Sequence, residues 1–309
     1  MPAFKKLTIP TTGERITFKK GKPIVPNYPI VPFIRGDGTG VDIWPATQKV
    51  LDSAIAFSYG EKRKINWFKI YAGDEACENY GTYNYLPEDT IEAIKFFGVA
   101  IKGPLTTPIG GGIRSLNVAL RQIFDLYSCV RPCKYYSGTP SPHKKPQDLD
   151  IIVYRENTED IYMGIEWEAD DQICKDLINH LNDFVIPNSE KLKNRKLPAS
   201  AGIGIKPVSK EGSQRHIRKA IEHAKRLKGD KKHVTLVHKG NIMKFTEGAF
   251  RDWGYDLAIN EFRRDCITER ESWILDNIKN NPDINIENNA RLIEPGFNKL
   301  TIEKQNIIC

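Results

Sequence analysis

The sequence lacks the features that mark membrane and secreted proteins. It has no run of about eighteen consecutive apolar residues, which argues against a transmembrane helix. The first residues, Met1 to Lys6, carry no apolar core of the kind that a secretory signal needs. The six cysteines are scattered without a Cys-x-x-Cys pair, so we expect reduced thiols rather than a disulfide framework. These absences predict a cytoplasmic protein that does not bind a membrane.

Signs of a nucleic-acid partner are also scarce, although the formal net charge is +7. The basic clusters lack interleaved aromatic residues and any recognised nucleic-acid-binding motif. We therefore expect solvated helix ends and loops there, and no nucleic-acid binding. An excess of positive charge is compatible with attraction of a polyanionic substrate. The clusters are Lys19–Lys22, Lys191–Lys196 and Arg226–Lys232.

The sequence does contain alternating strand and helix patterns in an ordinary globular composition. Its 309 residues are 40% apolar and 28% charged, which is enough for two domains or one large one. The alternation predicts an α/β fold with a mainly parallel sheet, whose ligands bind at the carboxyl ends of strands. After an extended or hairpin-like lead-in over residues 1–27, the predicted strands are Tyr28–Ile34, Ile65–Ile70, Val99–Lys102, Ile151–Tyr154 and Val234–Val237. Five helices are predicted besides the one discussed next. The first follows Gly40, the second starts at Pro87, the third covers Ile173–Phe184 and the fifth begins after Thr246. The fourth carries an apolar stripe formed by Ile217, Ala220, Ile221, Ala224 and Leu227.

A glycine-led helix is the first candidate binding element. Three glycines at positions 110–112 allow a ligand to approach the backbone, and a helix follows them. Ser115 occupies the N-cap position, and Asn117 and Arg121 lie one turn apart on the polar face beside Arg114. Together with the helix dipole, these groups predict an anion site, and an ordinary solvent-exposed helix is the alternative. The opposite face carries Leu116, Ala119, Leu120, Ile123 and Tyr127.

Two further arginines favour the anion site. Arg131 and Arg155 each follow a short apolar run, so we expect both near strand ends, where a guanidinium can bind a carboxylate in bidentate fashion. Our expectation is that Arg121, Arg131 and Arg155 meet around one small polyanion. The glycine-rich turn at residues 36–40 reads Gly-x-Gly-x-Gly and lacks the last step of the dinucleotide fingerprint, so Asp37 is interpreted as a turn residue.

Several long blocks of sequence resemble one enzyme family. They are Ile101-Lys102-Gly103-Pro104-Leu105-Thr106-Thr107-Pro108 with its continuation through Arg121, Arg155-Glu156-Asn157-Thr158-Glu159-Asp160-Ile161-Tyr162, and His238-Lys239-Gly240-Asn241-Ile242-Met243-Lys244-Phe245. From about Pro29 to Phe262 the chain resembles NADP-dependent isocitrate dehydrogenases of the bacterial homodimeric type, within the isocitrate/isopropylmalate dehydrogenase family. The resemblance implies oxidation of isocitrate at C2 by NADP, followed by decarboxylation to 2-oxoglutarate.

The resemblance also implies roles for individual residues. Arg121, Arg131 and Arg155 match the substrate-binding arginines of the family, and Ser115 and Asn117 match the residues that bond the third carboxylate. Relatives that act on isopropylmalate have apolar contacts in that region, so Ser115 and Asn117 favour isocitrate. In some members the matching serine is phosphorylated, which would repel the substrate.

Proton transfer and cofactor binding follow from the same match. Tyr162 and Lys239 match the proton-transfer pair, with the tyrosine protonating the enol and the lysine assisting removal of the hydroxyl proton. In the family that lysine enters the neighbouring subunit's site, which implies a homodimer. Thr106 matches a contact to the nicotinamide end of NADP. Judged without the family blocks, Tyr162 and Lys239 would be read as a strand-end tyrosine and a surface lysine.

The resemblance also divides the chain. It implies an isocitrate/isopropylmalate dehydrogenase-like sheet domain, a small α/β domain and a clasp subdomain, rather than a GxGxxG Rossmann fold. The implied parts are the large α/β domain (1–126), the first part of the small domain (127–159), the clasp-like subdomain (160–204), and the second part of the small domain (205–309), with an irregular insertion after 262.

Two family blocks do not occur in the sequence. Family metal ligands for Mg²⁺ or Mn²⁺ lie in an Asn-Gly-Asp-Tyr-Ile-Ser-Asp block, and the NADP adenine pocket has a His-Gly-Thr block. We therefore expect that the chain is a fragment or truncated product and is inactive alone. We also expect Glu156, Glu159 and Asp160 to frame Arg155 and Tyr162 rather than to bind a metal ion. A shortened non-catalytic chain that dimerises with an intact subunit, or a related β-decarboxylating dehydrogenase, are the alternatives.

Overall fold

The computed structural model describes residues 2–106, 115–228, 232–269 and 271–272. These residues form two compact units, one ending at Asp125 and the other beginning at Leu126. Each unit has its own secondary structure and its own buried cluster of side chains.

A short parallel sheet organises the first unit. Its central strand is buried along its whole length and pairs in parallel with one strand on each side, in the order β4-β3-β5. An antiparallel hairpin precedes it, as the lead-in predicted. The strands are β1 (Thr17–Lys19), β2 (Lys22–Ile24), β3 (Ile30–Ile34), β4 (Asn66–Lys69) and β5 (Ile101–Lys102).

Crossover helices connect these strands, which confirms the predicted α/β alternation in this unit. The helices are α1 (Gly40–Tyr59), α2 (Asp74–Tyr80), α3 (Glu88–Phe97) and α4 (Leu116–Ile123). Pro87 precedes the first residue of α3 rather than occupying it. In α1 the buried residues are Gly40 and Trp44, whereas Val50 of the predicted apolar side is exposed. Trp44 stacks on Phe33 of β3 with ring centroids 4.1 Å apart.

The core of the first unit lies between the sheet and helices α3 and α4. Two buried leucines of α4, Leu116 and Leu120, belong to the same cluster as Phe68 of β4 and Phe97 of α3. Their burial anchors the apolar face of α4 and turns its polar face away from the core. α4 ends at Ile123, so the prediction that Tyr127 continues its apolar face is wrong; Asp125 has a positive φ of 47°, which a continuing right-handed helix does not allow.

The described strands of the second unit pair as antiparallel ribbons. The first ribbon pairs β6 (Ser128–Lys134) with β7 (Asp150–Glu156), and the second pairs β8 (Ile165–Trp167) with β9 (Ile203–Ile205). The loop between β6 and β7 contains the predicted proline-rich stretch and a 3₁₀ turn at Pro146–Asp148. Because only residues 135–149 separate the first two strands, an antiparallel connection is geometrically direct, whereas a parallel one needs a crossover element.

Besides these ribbons, the described residues of this unit form three α-helices and two more short helical turns. The α-helices are α5 (Gln172–His180), α6 (Lys210–Arg226) and α7 (Glu247–Glu261); a 3₁₀ turn covers Asp160–Met163, and a π turn, Leu181–Val185, extends α5. The predicted stripe of α6 is confirmed, since Ile217 and Ile221 are buried against Leu257 of α7. Gly254 permits this close packing, because a Cβ there would come within 2.8 Å of the Ile217 side chain.

One predicted strand is absent. Residues 232–239 have no assigned secondary structure, so the strand expected at Val234–Val237 is wrong. Val237 is 86% exposed and neither valine pairs with any strand that the structure describes. Four apolar residues form a strand only where a partner edge is available, and periodicity alone does not reveal such an edge.

Some sequence features lie outside the described residues, namely the glycines at 110–112 with Arg114, and the asparagine-rich insertion with the chain end after 272. In the part that is described, no helix is both long and apolar enough to cross a lipid bilayer. The described cysteines, at positions 77, 129, 133, 174 and 266, are all free thiols.

Candidate active site

The carboxyl edge of the parallel sheet is tied together by one buried aspartate. Asp37 follows β3, and its two carboxylate oxygens accept the backbone N–H groups of Asp74 (3.0 Å) and Thr106 (2.9 Å). Its own N–H donates to the carbonyl of Pro104 at 2.8 Å. Asp37 is therefore a turn residue, as predicted, and it also holds the loop that carries Thr106.

Glycines make this loop packing possible. A Cβ on Gly36 would lie 2.3 Å from the Pro104 carbonyl oxygen, and a Cβ on Gly103 would lie 2.0 Å from the Arg35 carbonyl oxygen. No other residue fits at such distances without moving the backbone. The Gly-x-Gly-x-Gly turn therefore serves contact between the loops that follow β3 and β5. Thr106 itself is exposed at the carboxyl end of β5.

Helix α4 carries the predicted polar residues, Ser115 and Asn117 at its start and Arg121 in its last turn. Ser115 is at the N-cap, and its side chain makes no capping hydrogen bond, so its hydroxyl is not committed to the helix. Asn117 and Arg121 follow at a spacing of one turn and are half-buried. Lys102 lies close by: desolvation, and then the nearby Arg121 guanidinium, lower the pKa of its ammonium. Two cations held near each other favour an anion between them.

The ribbon of β6 and β7 brings two predicted arginines to one face. Arg155 pairs with Cys129, and Arg131 lies two residues further along the same strand as Cys129. Because side chains two residues apart share a face, Arg131 and Arg155 are diagonal neighbours on the same side of the ribbon. The guanidinium Nε of Arg131 donates to the Cys129 sulfur at 3.3 Å. Arg131 lies in the middle of β6 rather than near a strand end, which corrects that prediction.

Arg155 also contacts the predicted catalytic tyrosine. Its guanidinium carbon lies 4.5 Å from the centroid of the Tyr162 ring, a cation–π arrangement. Tyr162 belongs to the 3₁₀ turn Asp160–Met163, which begins with Asp160 at a φ of 60°. In the second unit, Arg155 is therefore a neighbour of both Arg131, across the ribbon, and Tyr162, whose ring it contacts. The other predicted residues of the substrate and cofactor site belong to the first unit, namely Ser115, Asn117, Arg121 and Thr106.

Carboxylates frame this turn, as the sequence predicted. Glu156 accepts the N–H groups of Thr158 (2.8 Å) and Glu159 (3.0 Å). Glu159 accepts the N–H of Ser209 at 2.8 Å, and also its hydroxyl, at the start of α6. Since both glutamates are engaged by backbone amides, they fix the path from Arg155 to Tyr162.

Lys239 lies in the irregular segment before α7. Its side chain is exposed, and its backbone N–H donates to Glu247 Oε2 at 3.0 Å. Gly240 follows it and approaches Gly248 so closely that a Cβ would lie 2.8 Å from the Gly248 Cα. The first turn of α7 therefore holds the backbone of Lys239 while the ammonium group reaches solvent.

Comparison with known proteins assigns the family. The model of the family described as isocitrate/isopropylmalate dehydrogenase matches residues 30–289. The chain belongs to this family. Its α/β architecture agrees with a solved isocitrate dehydrogenase from Methylococcus capsulatus, which superposes with a TM-score of 0.57 at 35% identity, over 75% of this chain and 57% of that one.

Two cyanobacterial relatives are much more similar in sequence. The isocitrate dehydrogenase [NADP] of Nostoc sp. strain PCC 7120 is 68% identical over 302 residues, which are 98% of this chain and 64% of that protein. The isocitrate dehydrogenase [NADP] of Synechocystis sp. strain PCC 6803 is 67% identical over 305 residues, which are 99% of this chain and 64% of that protein. The chain thus spans just under two thirds of the length of these curated relatives.

The residues that the structure describes do not form a metal site. Over the described ranges, no three His, Cys, Asp or Glu side chains are grouped so as to hold a metal ion. The acidic residues nearest Tyr162 bind backbone amides or lysine instead. These residues therefore do not fit the divalent cation that the resemblance implies. Thr106 offers NADP a single exposed hydroxyl, which fits a contact but not a complete cofactor site.

Three supporting residues were not found from the sequence as parts of the site. Asp37 binds the Thr106 loop, and Lys206 with Glu247 binds the segments that carry Tyr162 and Lys239. Lys206 and Glu247 do not belong to any motif singled out in the sequence. The glycine-rich turn predicted that Asp37 is a turn residue, but not that it binds the amides of Asp74 and Thr106. Only the packing of segments that are distant in sequence brings these partners together.

Proposed function

We propose that the whole protein oxidises isocitrate at C2, transfers the hydride to NADP, and decarboxylates the β-keto acid to 2-oxoglutarate and CO₂. The observation that carries the proposal is the placement of Arg131 and Arg155 on one face of a ribbon, with the Arg155 guanidinium against Tyr162. Two cations beside a phenol suit a substrate that binds through carboxylates and is protonated on carbon. Family membership, and relatives named isocitrate dehydrogenase [NADP], support the same reaction.

Binding of the substrate carboxylates falls to five residues in this proposal. Arg121, Arg131 and Arg155 bind them as charge-assisted hydrogen-bond donors, for which the forked guanidinium is well suited. Ser115 and Asn117 bond the third carboxylate, and the N-cap serine has a hydroxyl that its helix does not use. That arrangement favours isocitrate over a substrate with an apolar group at the same position.

Proton transfer falls to Tyr162 and Lys239. Tyr162 protonates the enol carbon after CO₂ leaves, and Lys239 assists removal of the C2 hydroxyl proton. In a homodimer of the family type, Lys239 would serve the neighbouring subunit's site, and its exposed side chain is compatible with that role.

Cofactors and the finer organisation of the chain belong to the same proposal. NADP binds with its nicotinamide end near Thr106. Mg²⁺ or Mn²⁺ would supply Lewis-acid polarisation in the complete enzyme, held by residues other than those that the structure describes here. We infer that these 309 residues alone do not turn over isocitrate, since the family's metal and adenine blocks do not occur in their sequence. We also propose that the protein has a small domain and a clasp subdomain over residues 160–204, and that it lacks a Rossmann nucleotide site. Its proposed location is the cytoplasm.

The reaction is tested by assaying the purified full-length gene product for NADPH formation. We expect turnover with isocitrate, NADP and Mg²⁺, and none with isopropylmalate at the same concentration. Turnover of isopropylmalate in preference to isocitrate would favour the related β-decarboxylating dehydrogenase instead, and the absence of turnover with both would count against an enzymatic role.

Replacing Ser115 or Asn117 with alanine is expected to raise KM for isocitrate about 10- to 100-fold. Each change removes one hydrogen bond to a charged group, worth about 1.5–3 kcal/mol, while the arginines remain. Initial rates against isocitrate concentration give KM and kcat separately. Asn79→Ala is the matched control, because Asn79 is a helical asparagine of the same unit that bonds the Glu75 carbonyl at 2.7 Å. An unchanged KM for isocitrate in Ser115→Ala and in Asn117→Ala would refute the assignment of these two residues to substrate binding.

A further inference from the structure

A lysine bridges the two segments that carry the proposed proton-transfer residues. The Lys206 ammonium lies 2.7 Å from Asp160 Oδ2 and 2.7 Å from Glu247 Oε1. Asp160 begins the turn that contains Tyr162, and Glu247 begins α7. Lys206 itself follows β9, so one side chain joins three segments that are distant in sequence.

Both carboxylates use their second oxygen in the same way. Asp160 Oδ1 accepts the N–H of Ile161 at 2.6 Å, one residue before Tyr162. Glu247 Oε2 accepts the N–H of Lys239 at 3.0 Å. Each carboxylate therefore connects Lys206 on one side to the backbone of a proton-transfer segment on the other. Neither arrangement is explained by secondary structure, because the two amides donate to side chains and not to a helix or sheet.

The turn at Asp160 needs support from outside itself. A φ of 60° is unfavourable for a residue with a Cβ, and asparagine and aspartate tolerate it best. The Asp160 N–H donates to the carbonyl of Pro207 at 2.9 Å, and Lys206 holds its side chain. The neighbouring residues Lys206 and Pro207 therefore contact Asp160 at both its backbone and its carboxylate, and this fixes the direction in which the chain enters the Tyr162 turn.

The bridge is shielded enough to act as a fixed link. Side-chain exposure is 28% for Lys206, 33% for Asp160 and 20% for Glu247. Burial alone would lower the pKa of Lys206, but hydrogen bonds to Asp160 and Glu247 outweigh it and raise the pKa. The Lys206 hydrogen bond, the Lys239 amide and nearby His238 lower the pKa of Glu247 against the effect of burial. The Lys206–Glu247 pair is therefore charged at neutral pH, and is lost as the pH falls through the lowered pKa of Glu247 or rises through the raised pKa of Lys206.

We propose that Lys206 is a positioning residue for proton transfer, which sets the Tyr162 turn and the Lys239 segment at once through Asp160 and Glu247. The catalytic part of this inference rests on the proposed function. Lys206 contacts neither of the two side chains in any described interaction, and it acts through the backbone amides of Ile161 and Lys239. The substrate-binding arginines are outside this network, so its loss is expected to affect turnover more than substrate binding.

The positioning itself is tested by hydrogen–deuterium exchange, which requires no activity. In Lys206→Met, the amides of Ile161 and Lys239 are both expected to exchange at least about threefold faster than in the unmodified protein. Lys225→Met is the matched control, because Lys225 makes a 2.6 Å ion pair with Asp265 in the same unit and its other partner is the Phe262 ring, not the Asp160 or Glu247 carboxylate. Unchanged exchange at either amide in Lys206→Met, or equal acceleration in Lys225→Met, would overturn the proposal.

Kinetics of the full-length gene product test the consequence for catalysis. Lys206→Met is expected to lower kcat for isocitrate about 10-fold or more, with KM changed less than about threefold. Lys206→Arg retains a cation that can reach two carboxylates, so it is expected to restore most of kcat. A kcat of Lys206→Met within twofold of the unmodified enzyme, or a Lys206→Arg variant as impaired as Lys206→Met, would overturn the positioning role.

A double variant separates a shared network from independent effects. Lys206→Met combined with Glu247→Gln is expected to lower kcat no further than the more impaired single variant, because both changes break the same link. Fully multiplicative losses would contradict a single network. The failure of the proposed function is distinguishable from these outcomes: the unmodified enzyme would then not turn over isocitrate, while the exchange experiment would still report on the bridge.

Discussion

Tyr162→Phe is expected to lower kcat for isocitrate about 10²- to 10⁴-fold with little change in KM. The substitution removes the hydroxyl that donates the proton in the proposed mechanism but leaves the ring whose centroid lies 4.5 Å from the Arg155 guanidinium carbon. General acid catalysis by a positioned side chain contributes about that factor. Since the arginines stay in place, the substrate carboxylates keep their partners. Steady-state rates on the full-length gene product measure both constants.

A second tyrosine serves as the control for this experiment. Tyr154 lies one residue before Arg155, and its hydroxyl bonds His223 instead. Tyr154→Phe is expected to leave kcat within about twofold, because its side chain occupies the opposite face of the ribbon from Arg155. If Tyr162→Phe kept more than a tenth of kcat, or if Tyr154→Phe fell equally, Tyr162 would not be the acid.

Glu271→Gln is expected to destabilise the protein by about 3–5 kcal/mol, the largest effect on stability that we predict. Glu271 is completely buried and receives two hydrogen bonds from the Arg263 guanidinium, at 2.8 and 3.0 Å. It also accepts the N–H of Thr268 at 2.9 Å, while the Thr268 hydroxyl receives the Glu271 N–H. The substitution removes the carboxylate charge that faces the Arg263 guanidinium, whose side chain is only 10% exposed, and loss of the counter-charge of a buried cation carries a cost of that size.

The chain contains a matched control for burial. Arg218 and Glu261 form an equally bidentate pair, with bonds of 2.6 and 2.7 Å, but their side chains are 34% and 45% exposed. Glu261→Gln is therefore expected to cost less than about 1 kcal/mol, because solvent screens the lost charge. Urea denaturation of both variants gives the comparison, with the change read from the midpoint at constant slope. Equal midpoint shifts would show that burial does not control the contribution of these pairs.

Local patterns predicted most helices and the central strand well. The stripe of α6, the buried strand β3 and the start of α4 at Ser115 each depend on periodicity or capping within about one or two turns. The failures occurred where a partner had to be known. Val234–Val237 has the composition of a strand but pairs with no described strand, and Arg131, expected near a strand end, lies in the middle of β6 where that strand pairs with β7.

The same distinction between local sequence pattern and distant contact applies to the residues of the candidate site. Family resemblance predicted site roles for Arg155, Tyr162 and Lys239, because the blocks around them are long and continuous in sequence. It did not identify Lys206, whose two partners are 46 and 41 residues away. The convergence of Arg121 with Arg131 and Arg155 stays a prediction, as do the catalytic and binding roles assigned to each of these residues.

The sequence by itself determined the family, the type of most elements and the residue types available for an anionic substrate. Tertiary structure alone decided that Arg131 and Arg155 share a face, that Asp37 holds the Thr106 loop, and that Lys206 bridges two carboxylates. The physical reason is that backbone propensity and side-chain periodicity act over a few residues, whereas a hydrogen bond between distant segments exists only after packing has brought them within about 3 Å.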